Sequence, residues 1–165
     1  MELNNDISKQ AYIRLLIDTL NKKLSVLNNL TEITKGQEML MDETSFDDNR
    51  FNGTITMKEE QLVILANLDH GFEQLYERAR DELMNNKFRY MQEIAILKEL
   101  ITSITDMSVK LKAMEMRNKS KLEVLLAKKR NDLKDSMISS RTAAKYYKSM
   151  TQQMEEQSYF YDKKK

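Results

Sequence analysis

Residues 90–125, YMQEIAILKELITSITDMSVKLKAMEMRNKSKLEVL, decide the fold. Every seventh residue reads Tyr90, Leu97, Ile104, Leu111, Asn118, Leu125, and a second series three places on reads Leu100, Met107, Met114. Apolar residues at alternating spacings of three and four put one stripe on one side of a helix. Sustained over several heptads, that stripe packs against other helices as in a coiled coil or a long bundle. Pro and Gly are both absent from the stretch. It reads as one long helix that packs on helices.

The rest of the composition agrees. The 165 residues include no Pro, no Cys, no Trp and only three Gly, with 41% hydrophobic and 32% charged residues. Sheets need turns, and turns draw on Gly and Pro. A few long helices in one domain are the economical solution. Without Cys there is no disulfide and no thiolate metal or catalytic site. No stretch approaches the roughly 20 apolar residues of a membrane span, and the polar start MELNNDISKQ is not a secretory signal. The expected location is the cytoplasm.

Charge is uneven along the chain. Residues 1–107 hold 12 Lys/Arg against 19 Asp/Glu, residues 108–150 hold 12 against 4, and the last fifteen hold 3 of each. An acidic front and a basic back attract each other if the helices fold back, and the basic back also suits an acidic partner.

Taken in order, helix 1 is expected over about 6–42, with Ile13, Leu16, Leu20, Leu24, Leu27 and Leu30 as its stripe. The pattern weakens after Ile33, and Gly36 is a weak point or a cap. Residues 43–55, ETSFDDNRFNGTI, read as the main loop, with Phe46 and Phe51 pinning it to the bundle. The spacing of Asp42, Asp47 and Asp48 does not match a calcium-binding loop. Helix 2 is expected over 56–84, opened by a Thr56–Glu59 capping box. Its stripe is Leu62, Leu65, Leu68, Phe72, Leu75, Tyr76, Ala79 and Leu83, with Gly71 allowing close helix approach or a slight bend. Asn85–Asn86 makes the break, and helix 3 follows from about 87 to 126.

Beyond Leu126 the stripe restarts in a shifted phase at Leu133, Met137, Ala144, Tyr147 and Met154, with Ile138, Tyr146 and Met150 beside it. The helices before it are too short to cover all of helix 3. Residues 127–165 therefore project, fold back or order on binding, whereas 1–126 form the bundle proper. The tyrosines of this segment suit a partner interface, or else close the end of the bundle.

For chemistry there is little. The single His70 has no second imidazole or thiolate to help it, and no HExxH, phosphate loop or nucleophile elbow is present. The reading is non-enzymatic, with no cofactor, metal or small-molecule substrate. A basic run (Lys119, Lys121, Lys128, Lys129, Arg130, Lys134, Arg141, Lys145, Lys148) could follow phosphates, but its charges are scattered round the helix.

Three stretches, LANLDHGFEQLYERARDEL (65–83), ITSITDMSVKLKAMEMRN (101–118) and SSRTAAKYYKSM (139–150), resemble the FlgN family of flagellar type III export chaperones. The resemblance implies an all-α, elongated antiparallel bundle of about three long helices with an adaptable C-terminal segment. It implies binding to hook–filament junction (hook-associated) proteins, shielding of their terminal helices, and delivery to the secretion apparatus. Carried over by position, the client-binding residues are Leu133, Met137, Ile138, Ala144, Tyr146, Tyr147 and Met150, to which the apolar series adds Met154. The tail from Tyr159 to Lys165 departs from the family pattern. Two other readings stand beside this one: a structural protein that self-associates through the 90–125 heptad, and a nucleic-acid binder using 108–150.

Overall fold

A computed structural model of the protein describes residues 2–132 and 145–154. Three long helices follow one another: α1 (Glu2–Asp42), α2 (Asp48–Asn85) and α3 (Met91–Asp132). A fourth, α4, spans 145–154. At 1.5 Å per residue, the 41, 38 and 42 residues of the long helices make rods of roughly 60 Å. The described residues contain no strand, and no described helix is long and apolar enough to cross a membrane.

The 90–125 heptad does what its spacing predicts. Tyr90, Leu97, Ile104, Leu111, Met114 and Asn118 are buried, and Leu122 and Leu126 take over where the phase shifts. On α1, the buried stripe is Ile13, Leu16, Leu20, Leu27 and Leu30. It does not stop at Ile33. The core positions pass to Thr34 and Gln37, both 0% exposed, and then to Leu40 and Met41. The apolar pattern fades there because the core itself turns polar. Gly36 sits within α1 and ends nothing.

The first loop is shorter than its composition suggests. α2 begins at Asp48, so the loop is 43–47 rather than 43–55. Asp47 caps it, with extended backbone and its Oδ1 accepting the Arg50 N–H at 3.1 Å. Thr56 is no cap; it lies inside the helix and donates its hydroxyl to the Asn52 carbonyl at 3.3 Å. Asn52 and Gly53 are weak helix formers, but Phe51 (0% exposed) and Ile55 (3%) flank them and face the core. Burying two large side chains is worth about 3–6 kcal/mol, more than the local propensity cost of about 1–2 kcal/mol. Phe46 packs on Phe51 with ring centroids 5.4 Å apart. Asp47→Ala should cost about 1 kcal/mol, seen as a melting point roughly 2–4 °C lower. An unchanged melting point would show that core burial alone sets where α2 starts.

The second connection matches the Asn85–Asn86 break. Asn86 donates its N–H to the Glu82 carbonyl at 3.0 Å, and a short turn leads to α3 at Met91, four residues later than expected. Gly71 makes no close approach, since a methyl group there would have nothing within 4 Å.

α1 packs along both α2 and α3, which make few direct contacts with each other. Matched positions set the directions. Lys9 faces Glu82, Lys23 faces Asp69 and Lys58 shares a cluster with Gln37, so α1 and α2 are antiparallel. Thr34 faces Glu115 and Glu38 faces Lys121, so α1 and α3 run parallel. The chain folds back after α3, and α4 sits between α2 and α3. Tyr146 reaches Glu115 on α3, and Gln153 reaches Asp69 on α2. The described residues form a four-cornered bundle with α4 at its fourth corner. Tyr146, Tyr147, Met150 and Met154 belong to the same hydrophobic core as α1–α3, so that core continues past residue 126.

The charge asymmetry is used within the chain. Lys121 pairs with Glu38 at 3.0 Å and with Asp42 at 3.2 Å, and Lys129 pairs with Asp48 at 2.6 Å. Both acidic partners of Lys121 hold its ammonium above the ordinary lysine range.

Candidate functional site

Of the eight residues singled out from the sequence, Leu133, Met137, Ile138 and Ala144 lie outside the described residues. The other four, Tyr146, Tyr147, Met150 and Met154, come together on one face of α4, at exposures of 1%, 6%, 2% and 3%. They point into the bundle. Of the two roles open to the tyrosines, the folded chain uses them to close the core. The Tyr146 and Tyr147 rings meet edge to face, with centroids 5.0 Å apart.

Beneath them lies a polar layer made by all four helices. Glu115 of α3 is its centre. Its Oε1 accepts hydrogen bonds from Tyr146 Oη at 3.0 Å and Thr34 Oγ1 at 2.8 Å, and forms an ion pair with Lys58 Nζ of α2. Lys58 Nζ also donates to Gln37 Oε1 at 2.6 Å and lies 4.9 Å from the Tyr146 ring centroid. Gln37 Nε2 donates onward to Thr54 Oγ1 at 3.0 Å. Thr34 has one hydroxyl proton, and it is also 2.6 Å from the Leu30 carbonyl, so that proton serves one acceptor at a time. One turn further, Asn118 Nδ2 donates to the Thr34 carbonyl at 3.0 Å. The polar residue at a heptad core position is thus satisfied.

The layer is incomplete. Glu115 Oε2 and Tyr147 Oη are buried and find no hydrogen-bond partner among the described residues. Such groups cost about 1–3 kcal/mol each. Burial pushes the Lys58 ammonium down to about 8, against the opposing pull of Glu115. Burial, and then the Glu115 charge, raises the Tyr146 phenol well above its ordinary range, and Tyr147 is raised for the same reasons with Glu123 adding to them. Lys58 is 0% exposed. The arrangement holds a charge pair inside a helix bundle and offers no nucleophile to solvent.

A second, smaller layer ties the other end of α4. Asp69 takes Lys23 Nζ on Oδ1 at 2.5 Å and Gln153 Nε2 on Oδ2 at 3.1 Å, with Lys23 and Asp69 both buried. A third lies by the α2–α3 turn, where Glu82 accepts from Tyr90 Oη at 3.1 Å and Asn86 Nδ2 at 3.0 Å and pairs with Lys9 at 3.4 Å. Alongside α4, a cleft of about 360 Å³ runs over the outer side of α3, lined by Lys112, Met116, Lys119 and Glu123.

The residues missed from the sequence are Thr34, Gln37, Lys58, Asp69 and Glu115. A signal existed for two of them. Phe51, Ile55, Lys58, Leu62, Leu65, Asp69 and Phe72 form one stripe at spacings of three and four, so both charges sit on the apolar face. The 90–125 seam packs against helices of its own chain. His70 is exposed, beside Gln74. Among the described residues no group of His, Asp and Glu is gathered as a metal site.

Among the described residues, fold and site define a four-helix bundle in which the amphipathic helix α4 covers a buried ion-pair layer. Comparison with family models, with curated proteins and with solved structures finds no match. The flagellar-chaperone resemblance therefore rests on the residues quoted for it.

Proposed function

We propose that this chain is a non-enzymatic export chaperone, cytoplasmic, that binds terminal helices of hook-associated proteins and hands them to the type III secretion apparatus. The reading rests on the three stretches that resemble the FlgN family. One geometric observation stands beside it: α4, within the segment that the resemblance marks for client binding, turns Tyr146, Tyr147, Met150 and Met154 into the groove between α2 and α3.

Like most helices in proteins, α4 is held by its tertiary packing and not by local propensity. It holds its place by burying Tyr146, Tyr147, Met150 and Met154. Against that stand the ordering of its backbone, of similar size, and the unsatisfied groups at Glu115 and Tyr147. In this reading α4 leaves its seat while α1–α3 stay folded. Its departure would give water back to Tyr147 and Glu115 and expose apolar surface the size of a helix. That is the surface needed to shield an aggregation-prone helix during export.

The test is direct. Full-length protein titrated calorimetrically with purified hook–filament junction proteins should form a complex at micromolar concentration or tighter. Titrations without heat, joined to a lysate pull-down that recovers no flagellar axial protein, would remove the reading.

A further inference from the structure

We infer that the cleft between α4 and the outer side of α3 is a binding site, independent of any protein client, for a small neutral aromatic molecule that carries one hydroxyl group, a phenol or an aryl alcohol.

The two buried polar atoms that find no partner among the described residues, Glu115 Oε2 and Tyr147 Oη, come from different helices, and both residues line this one cleft. They are 4% and 6% exposed. The bonds of the polar layer run to the other carboxylate oxygen, since Lys58, Thr34 and Tyr146 all meet at Oε1. Oε2 therefore keeps its acceptor capacity. Burial holds the Tyr147 phenol protonated, so it has a hydrogen to give. The two atoms do not bond each other. One group that donates to Oε2 and accepts from Oη completes both, and a hydroxyl can do so.

Water can make the same two bonds, but the walls suit a larger guest. The cleft holds about 360 Å³, within the range of small-molecule pockets. Its apolar walls are Met116, Met150, Met154 and the Tyr147 ring. Methionine adapts to irregular shapes and makes favourable sulfur–ring contacts, so an aromatic body fits it. Both unpartnered atoms are covered, and the flexible methionine ends are what a guest moves aside to reach them. Charge selects a neutral guest. At the rim Lys112 and Lys119 stand against Glu123, and inside the bundle Lys58 matches Glu115. An anion would meet Glu115 and a cation would meet Lys58, each out of water, whereas a hydroxyl meets neither penalty.

The probe is β-naphthol at neutral pH, where it is uncharged, with β-methylnaphthalene as the isostere that lacks the hydroxyl. Binding to the full-length chain is read from isotope-labelled methionine methyl signals, assigned by single substitutions. β-Naphthol should shift the Met116, Met150 and Met154 signals saturably, and the isostere should bind about tenfold more weakly. Tyr147→Phe keeps the ring and removes Oη, so the naphthol should lose about fivefold to tenfold in affinity while the isostere loses nothing. Ser120→Phe, at an exposed position on the rim, fills the cleft from outside the core and should abolish binding of both. Equal affinity for naphthol and isostere overturns the proposal, as does an unchanged naphthol affinity in either variant. Saturable shifts confined to other methionines overturn it by placing the guest elsewhere. So does the absence of any shift up to the solubility limit, which would leave the cleft to ordered water.

Discussion

Glu115→Leu should lower the unfolding free energy by about 3–5 kcal/mol, and adding Lys58→Met should restore most of the loss. The single change removes the acceptor of three donors, Lys58, Thr34 and Tyr146, at a position that is almost fully buried. Lys58 keeps one partner, Gln37. Part of the cost is capped, because the ammonium already titrates at about 8 and without Glu115 falls further. At neutral pH it can lose its proton, and the chain then carries a buried amine and not a bare charge. The double variant replaces two charges by apolar side chains of similar length, which buried ion pairs tolerate well. Denaturant unfolding of the native, single and double variants is the measurement, with a melting point roughly 10 °C lower in the single variant as the quick form. A loss under about 1 kcal/mol for Glu115→Leu would mean that the pair is hydrated, and the layer as described would be wrong.

Such a layer also answers a question that heptads leave open. Leu97, Ile104, Leu111 and Met114 are nearly interchangeable knobs, so α3 could slide by seven residues against α1 at modest cost. A slide would separate Glu115 from Lys58 and Thr34, Asn118 from the Thr34 carbonyl, and Lys121 from Glu38. Lys23–Asp69 and Lys9–Glu82 do the same for α2. Apolar residues hold these helices together, and the polar ones say which residue faces which.

That division of labour explains what could be read from the chain in advance. The long helices were legible because each presents a stripe repeated over many turns, and one misplaced residue hardly blurs it. The start of α2 was not, because Asn52 and Gly53 are turn residues by local chemistry and only the burial of Phe51 and Ile55 overrules them. The polar layer was hidden for a related reason. Lys58, Asp69 and Glu115 are the residue types that normally mark a solvent face, and only the phase of Lys58 and Asp69 within the α2 stripe gives a sign of burial. The inward turn of Tyr146, Tyr147, Met150 and Met154 could not be fixed either, since an amphipathic face looks the same whether its own chain or a partner covers it.

The pH dependence of stability should follow from the same layer, with a maximum in mildly alkaline solution. Lys58 titrates at about 8 in the folded chain against an ordinary 10.5. Between those values the unfolded chain still binds a proton that the folded chain has released, so stability rises with pH through that window and the gain is lost as pH falls through 8. Tyr146 and Tyr147 act in the opposite sense. Their folded values lie above the ordinary 10.0, so the folded chain keeps protons that the unfolded chain sheds, and stability falls as pH climbs past 10. The groups that face Lys58 are Glu115 from α3, Gln37 from α1 and the Tyr146 ring from α4, and only Glu115 among them is charged. From pH 7.5 to 9.5 the net gain should be about 1–2 kcal/mol, or roughly 3–6 °C in melting point. The Lys58→Met, Glu115→Leu double variant separates the two effects, since it should lose the rise below pH 10 and keep the fall above it. Melting curves that coincide in shape for the native chain and the double variant from pH 7.5 to 9.5 would show that Lys58 does not titrate in that window. The same scan reads out α4. If its undocking precedes global unfolding, tyrosine fluorescence should report ionisation of Tyr146 and Tyr147 at a lower pH than loss of helical circular dichroism. A single coincident transition would bind α4 to the bundle as one cooperative unit.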